Sequence, residues 1–294
     1  MTAYVVLVGS LMIGTARASA SEALEAARQA VVELDWRQVQ RLYEPIRSAA
    51  SVGDDVWLEA TYCLALAQHH VQPPDAGTIG EAQALYQDVI RQAPRSRWAA
   101  RAIMNLGRIE ELRDYPTDAV DLDAARAFYE RVVAEFPNDP IAGEATLRAA
   151  ATLVMAYDAP HYTKVRAGIA LLERRLKAHP DEPLASVMWQ YAGDSYFRPL
   201  ADHANALRCY EEVDRLGWVD RGNQGPWDWR SALPAGRELN LPDIAAKYYT
   251  KIILETPNSG KAYEAMEALQ RMGRPVPSSP MFDRLAPATR EARP

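Results

Sequence analysis

The sequence predicts an all-α protein built as an α-solenoid, and three observations carry the prediction. A short frame recurs: a small residue, a ring or large apolar residue four positions on, and an apolar residue three further. It is plainest at Ala125/Tyr129/Val132, Ala82/Tyr86/Val89 and Ala245/Tyr249/Ile252, closed by Pro137, Pro94 and Pro257. Looser versions stand at Val39/Tyr43/Ile46, Gly168/Leu172 and Ala206/Tyr210/Val213. The ring positions fall at 43, 86, 129, 172, 210 and 249, in steps of 43, 43, 43, 38 and 39. A fixed period of this size marks a repeat array, in which each helical pair needs its neighbours to bury its apolar face. Finally, Ala, Leu, Arg and Glu dominate, and no run of alternating β-branched residues is present; these are helix formers.

Offsets of four and three place the frame's side chains on one helical stripe. A buried Tyr removes roughly 150–250 Å² from water, a gross gain of about 4–6 kcal/mol before entropy is subtracted.

In chain order, 21–34 read as a first Ala-rich helix, and Asp35-Trp36 opens a second carrying Val39, Tyr43 and Ile46. Pro45 should kink or end it near Glu44. Asp54-Asp55 caps a helix running to about His70, 72–78 read as a loop, and a helix over 80–93 completes that unit. Segments 71–78, 114–120 and 157–163 are insertions that lengthen the first repeats. Asp121-Leu-Asp123 opens a helix and is read as a cap rather than a cation site. At Pro137-Asn-Asp-Pro140, Pro180-Asp-Glu-Pro183 and Pro257-Asn-Ser-Gly260 a proline ends one helix and Asn, Asp or Ser begins the next. Pro234 should distort the helix it falls in. Tyr129 and Leu106 are expected to be buried at a junction.

A second signature, Trp189-Gln-Tyr-Ala-Gly193-Asp-Ser-Tyr196, lies beside the frame. Together the two resemble the tetratricopeptide repeat (TPR), with Trp-x2-Leu-Gly-x2-Tyr on the first helix and Ala-x3-Phe/Tyr-x2-Ala-x4-Pro on the second. Partial first-helix matches are Trp57/Ala60/Thr61, Leu106/Gly107, Trp229/Ala232 and Tyr263/Met266. The resemblance covers about 20–272 and implies a right-handed α-solenoid of about five to six helix-turn-helix repeats. The wording of 128–139 and 248–263 is similar to that of bacterial envelope TPR proteins, the outer-membrane assembly lipoproteins and the Tol–Pal coordinators. That similarity implies a periplasmic scaffold that binds other proteins. The chain departs from the first group in lacking a lipid-bearing Cys after its apolar start, and from the second in lacking a coiled-coil head.

Residues 4–16 form an apolar run of thirteen ahead of Ala16-Arg17-Ala18, which predicts a signal peptide at 1–18, although no Lys or Arg precedes the run. A buried first helix or a short anchor is the alternative. The solenoid is expected over 19–272 and a Pro-rich tail over 273–294. The net charge of −6 argues against a general nucleic-acid or anionic-membrane binder. Cys63 and Cys209 fall in separate units and read as small buried thiols.

Sequence motifs for catalysis are missing: no His-Glu-x-x-His, Gly-x-Ser-x-Gly, phosphate loop or Cys-x2-Cys pair occurs. His69 and His70 are adjacent, and adjacent helical positions face about 100° apart, which makes a shared metal a poor fit. The expectation is a non-catalytic protein with no cofactor and no metal.

What remains is the surface lined by first helices. Carrying the family's inward-facing frame across gives Asp55, Leu58 and Tyr62; then Arg101, Met104 and Arg108; then Glu144 and Arg148; then Gln190, Asp194 and Phe197; then Trp227, Arg230 and Arg237. The row Arg101, Arg108, Arg148, Arg230 and Arg237 would suit an extended acidic segment of a protein or peptide; the same arginines could equally be solvated charges paired with neighbouring carboxylates. The family's carboxylate-clamp subclass uses Lys and Asn at matching positions, and this chain does not reproduce them. Trp218, Trp227 and Trp229, set among glycines, would suit stacking on an envelope polysaccharide. In the plainer reading Trp229 is a repeat anchor and the others pad a long connection.

Overall fold

The computed structural model describes residues 21–217 and 224–279. The expected signal segment, Trp218 and most of the expected tail lie outside them. The described residues are all-α, with no strand among them. They fall into two compact units that meet in sequence after Ala156.

The first unit holds α1 (21–32), α2 (Trp36–Ala49), α3 (Asp55–His70), α4 (Ala76–Gln92), α5 (Arg97–Glu111), α6 (Leu122–Glu135) and α7 (Ile141–Met155). From α2 onward each helix packs on the next, α1 joins the cluster around Tyr43, and α3 touches α5 as α5 touches α7. This neighbour-to-neighbour packing is that of an α-solenoid. The second unit holds α8 (Thr163–Ala178), α9 (Ala185–Phe197), α10 (His203–Leu216), α11 (Gln224–Leu233), α12 (Pro242–Glu255) and α13 (Gly260–Arg271), packed in the same successive manner. No helix among the described residues is long and apolar enough to cross a membrane.

The recurring frame is the core. Tyr43, Tyr86, Tyr129, Leu172 and Tyr210 are fully buried, Tyr249 nearly so, and Leu106 is buried as expected. Two glycines make room for the rings. A Cβ on Gly107 would lie 2.6 Å from Cε1 of Tyr129, and one on Gly193 would lie 2.6 Å from Cε1 of Tyr210. Any side chain at either position would have to displace an aromatic ring that has nowhere to go.

Aspartate caps start several helices. Asp54 accepts from the Trp57 amide at 2.7 Å, and Asp121 accepts from the amides of Asp123 and Ala124. At α4, Asp75 and Thr78 cap one another reciprocally, so the helix begins at Ala76 and the loop expected over 72–78 is shorter. Pro45 neither ends nor interrupts α2, which runs on to Ala49. The proline is exposed, so water can solvate the carbonyl it leaves unpaired, while Tyr43 and Ile46 keep the apolar stripe in place. Pro234 does distort its helix. Lacking an N–H, it ends α11, and one π turn follows over Pro234–Glu238, with the Leu239 amide donating to the Pro234 carbonyl at 2.9 Å.

Candidate functional site

The buried tyrosines are not purely apolar anchors. Each phenol must be hydrogen-bonded or leave a polar group stranded in the core, and three of them meet the need in the same way. Tyr43 donates to Glu59 at 3.1 Å, and Arg28 grips both oxygens of that carboxylate at 2.6 and 2.7 Å. Tyr129 donates to Glu111 at 2.5 Å, which also accepts from Arg148 at 3.0 Å. Tyr210 donates to Asp194 at 2.9 Å, which meets Arg230 at 3.3 Å. Tyrosine, carboxylate and arginine thus come from three helices and tie each hairpin to its neighbour. Burial first, then the adjacent carboxylate, holds the phenols of Tyr129 and Tyr210 protonated.

This arrangement divides the predicted arginine row. Arg148 is held by Glu111 and by Glu144, each at 3.0 Å. Arg230 pairs with Asp194 and lies 5.4 Å above the ring of Trp227. Both are structural ties between neighbouring helices. Arg237 is exposed on the π turn, with no carboxylate in ion-pair range among the described residues. Gln190 is partly buried on α9, and Phe197 packs edge-on against the ring of His203 at 5.2 Å.

Around Tyr86 the pattern breaks. Its hydroxyl is buried and has no hydrogen-bond partner. Facing its ring are Tyr62, at 5.8 Å between centroids, and His69, edge-on at 6.4 Å. Arg108 is the nearby arginine, and its charge is felt by Tyr62, Tyr86, His69 and His70. Among the described residues Arg108 has no carboxylate within ion-pair range. Arg101, two turns back on α5 and about 10 Å away by helix rise, has none either; its guanidinium donates to the Arg97 carbonyl at 3.1 Å.

Two partly buried rings stand beside these arginines. Tyr62 and Trp98 are 5.5 Å apart, and Trp98 lies beneath Arg97 and Arg101. Asp55 fixes Trp98 by accepting from its indole N–H at 2.8 Å and pairs with Arg97 at 3.1 Å. Asn105 donates to the Tyr62 hydroxyl at 2.9 Å, which leaves that hydroxyl its own hydrogen to donate. Burial raises the Tyr62 phenol to about 12, so it remains a donor at neutral pH. The α3–α5 face therefore offers two aromatic rings, two unneutralised guanidiniums and a hydroxyl.

Not every expected residue belongs to this face. Met104 is 3% exposed and packs into the core. Asn105, the next residue, is buried too, at 6% exposed, and bears on this face only through its hydrogen bond to the Tyr62 hydroxyl. Trp98 was not among the expected residues because it precedes the repeat's own anchor position; the sequence signal for it is a Trp within one turn of Arg101. Leu58 is buried as well. Of the tryptophans, Trp227 is 6% exposed and packs edge-on against Tyr210 at 5.4 Å, so it offers no open face for a sugar. Trp229 packs on Tyr249, with Lys261 4.6 Å from its ring, as a repeat anchor would.

His69 and His70 stack, with ring centroids 4.5 Å apart. No group of three His, Cys, Asp or Glu side chains among the described residues is placed to hold a metal ion. Cys63 and Cys209 are free, buried thiols, both pushed up to about 12 by burial, which makes them poor nucleophiles at neutral pH. Burial, and then the Arg108 charge, lowers His69 to about 4. A histidine held neutral in the fold contributes stability that is present above its unfolded value near 6.5 and is lost as pH falls toward 4, because the unfolded chain binds the proton more readily. On that basis the protein should lose about 2–3 kcal/mol between pH 6.5 and 4.5 from this group. Denaturant titration of the wild type and His69→Gln over this range should show a smaller pH slope in the variant; equal slopes would place the acid sensitivity elsewhere.

Compared with models of known families and with characterised proteins, the chain matches none.

Proposed function

We propose that this chain is a non-catalytic scaffold of the tetratricopeptide type, exported to the bacterial envelope, whose α3–α5 face binds a segment of another protein. The observation that supports this most is the pair Arg101 and Arg108, unneutralised beside the partly buried rings of Tyr62 and Trp98, when Arg148 and Arg230 are held by carboxylates. Aromatic and arginine side chains at the centre of a patch are what protein recognition most often uses. A cation over a ring and a bidentate guanidinium both add to contact area without requiring a deep pocket. Export rests on the apolar run at 4–16 and the Ala-x-Ala site behind it.

Binding to an envelope polysaccharide through the Trp-rich stretch has less to support it, since Trp227 is buried and Trp229 is covered. Photo-crosslinking in the native cell separates the two. A photoreactive residue in place of Arg97, beside Trp98, should capture a polypeptide that the same residue in place of Glu130, on the exposed side of α6, does not. Capture of saccharide alone at position 97, or equal capture at both positions, would refute the scaffold reading.

A further inference from the structure

The terminal hairpin of a solenoid needs a polar outer face, because no further hairpin covers it. The α1–α2 hairpin departs from this rule. No helix precedes α1 among the described residues, and α2 turns its buried residues, Val39 and Tyr43, into the cluster it shares with α3. Along α2 runs a groove of about 730 Å³, lined by Leu24 of α1, by Leu42, Pro45, Ile46 and Ala49 of α2, and by Val56 at the start of α3. Pro45, Ala49 and Val56 are exposed, and Leu24, Leu42 and Ile46 are half-buried.

The two ends of this groove carry opposite charge. Arg37 and Arg41 precede Pro45 by eight and four residues, so they continue the stripe of Pro45 and Ala49, and both are exposed. Among the described residues Arg47 is the one α2 arginine with a carboxylate in ion-pair range. Past the other end of α2, Asp54 lines the groove. It accepts from the Ser51 and Trp57 amides and, unlike Asp55 with Arg97, has no basic side chain in ion-pair range among the described residues.

We infer that this groove is where a second copy of the chain docks, the two copies related by a twofold axis that sets their α2 helices antiparallel. Such an interface has to be self-complementary, and antiparallel α2 helices are. Each copy's Arg37 and Arg41 approach the other's Asp54, opposite ends of the helix dipoles lie together, and the apolar residues between them leave water. With the axis midway between Pro45 and Ala49, Arg41 lies about 9 Å from it along the helix, toward the end that meets the partner's Asp54. This docking is independent of the α3–α5 face and takes from the scaffold reading only the cleavage after Ala18. Residues 19 and 20 then precede Ser21, and two residues reach about 7 Å against the roughly 21 Å that α2 spans. What is left of the chain's own start is too short to cover the groove.

The test is sedimentation equilibrium of the chain as exported, with intact mass showing separately whether 1–18 has been removed. A dimer that dissociates at about 10 µM or below is expected. Every substitution enters a twofold interface twice. Ala49→Glu, which sets a charge into the apolar contact, should therefore weaken the dimer at least about tenfold. Arg41→Glu should weaken it about tenfold at low salt and less at high salt, where charges are screened. Both positions are exposed, so both variants should keep the wild-type helix content by circular dichroism, and Glu130→Gln on α6 should keep wild-type association. A monomer at every concentration up to about 100 µM, or a dimer that neither variant weakens, would overturn the proposal. A monomer that retains 1–18 would refute the cleavage as well as the dimer; one that has lost 1–18 would refute only the dimer. Capture of a different polypeptide by a photoreactive residue at position 49, from a chain that is monomeric when pure, would assign the groove to that partner and equally overturn the pairing of copies.

Discussion

Truncating Tyr129 to Ala is expected to cost about 3–5 kcal/mol, as for other large aromatic deletions in cores. The ring is fully buried, and Gly107 opposite it has no side chain that could move into the space. The same change strips Glu111 of its phenol donor at 2.5 Å, leaving only Arg148 to compensate a nearly buried carboxylate. In a stack where each helix touches its neighbours, the damage should be local. Hydrogen exchange should show protection lost first in α5, α6 and α7. Uniform loosening across 21–156 would mean that the first unit is a single cooperative core, and the nearest-neighbour description would fail.

The fold could be read from the sequence because its signal is redundant. Six copies of one frame each announce a helix and a large buried side chain, a ring in five of them, so a departure in one copy does not disturb the rest. Local departures come from interactions that a propensity rule does not weigh. Pro45 sits on the solvent face, where water can satisfy the carbonyl it leaves unpaired, and α2 continues. Asp75 and Thr78 start α4 inside a stretch that breaker residues mark as loop. The site was legible only in part. Arg101, Arg108 and Tyr62 are each partly exposed, whereas Met104, in the same frame, is buried in the core, and spacing alone does not separate core from surface along one helical stripe. Nor could the sequence say which arginines were already neutralised. Arg148 and Arg230 find their carboxylates 37 and 36 residues away, across a hairpin. Tyr86 differs from Tyr43, Tyr129 and Tyr210 by what it lacks, and a missing partner becomes visible only once the neighbouring helices are in place.

The most direct measurement of the central claim is partner binding by Arg101→Ala/Arg108→Ala across a salt series, beside the wild type and Arg237→Ala. The two α5 arginines are partly shielded and hold no acid of their own among the described residues, so each is expected to contribute about 1–1.5 kcal/mol to an acidic segment, and their joint loss about 30- to 150-fold in affinity. Charges more than a Debye length of about 8–10 Å apart are screened by salt, so wild-type binding should weaken as salt rises and the double variant should show a shallower slope. Arg237→Ala, on the second unit's exposed π turn, should retain the wild-type affinity and slope. Affinity and salt slope both unchanged in the double variant would contradict the account, reduce Arg101 and Arg108 to ordinary surface charges, and move the search to the inserted segments at 71–78, 114–120 and 157–163.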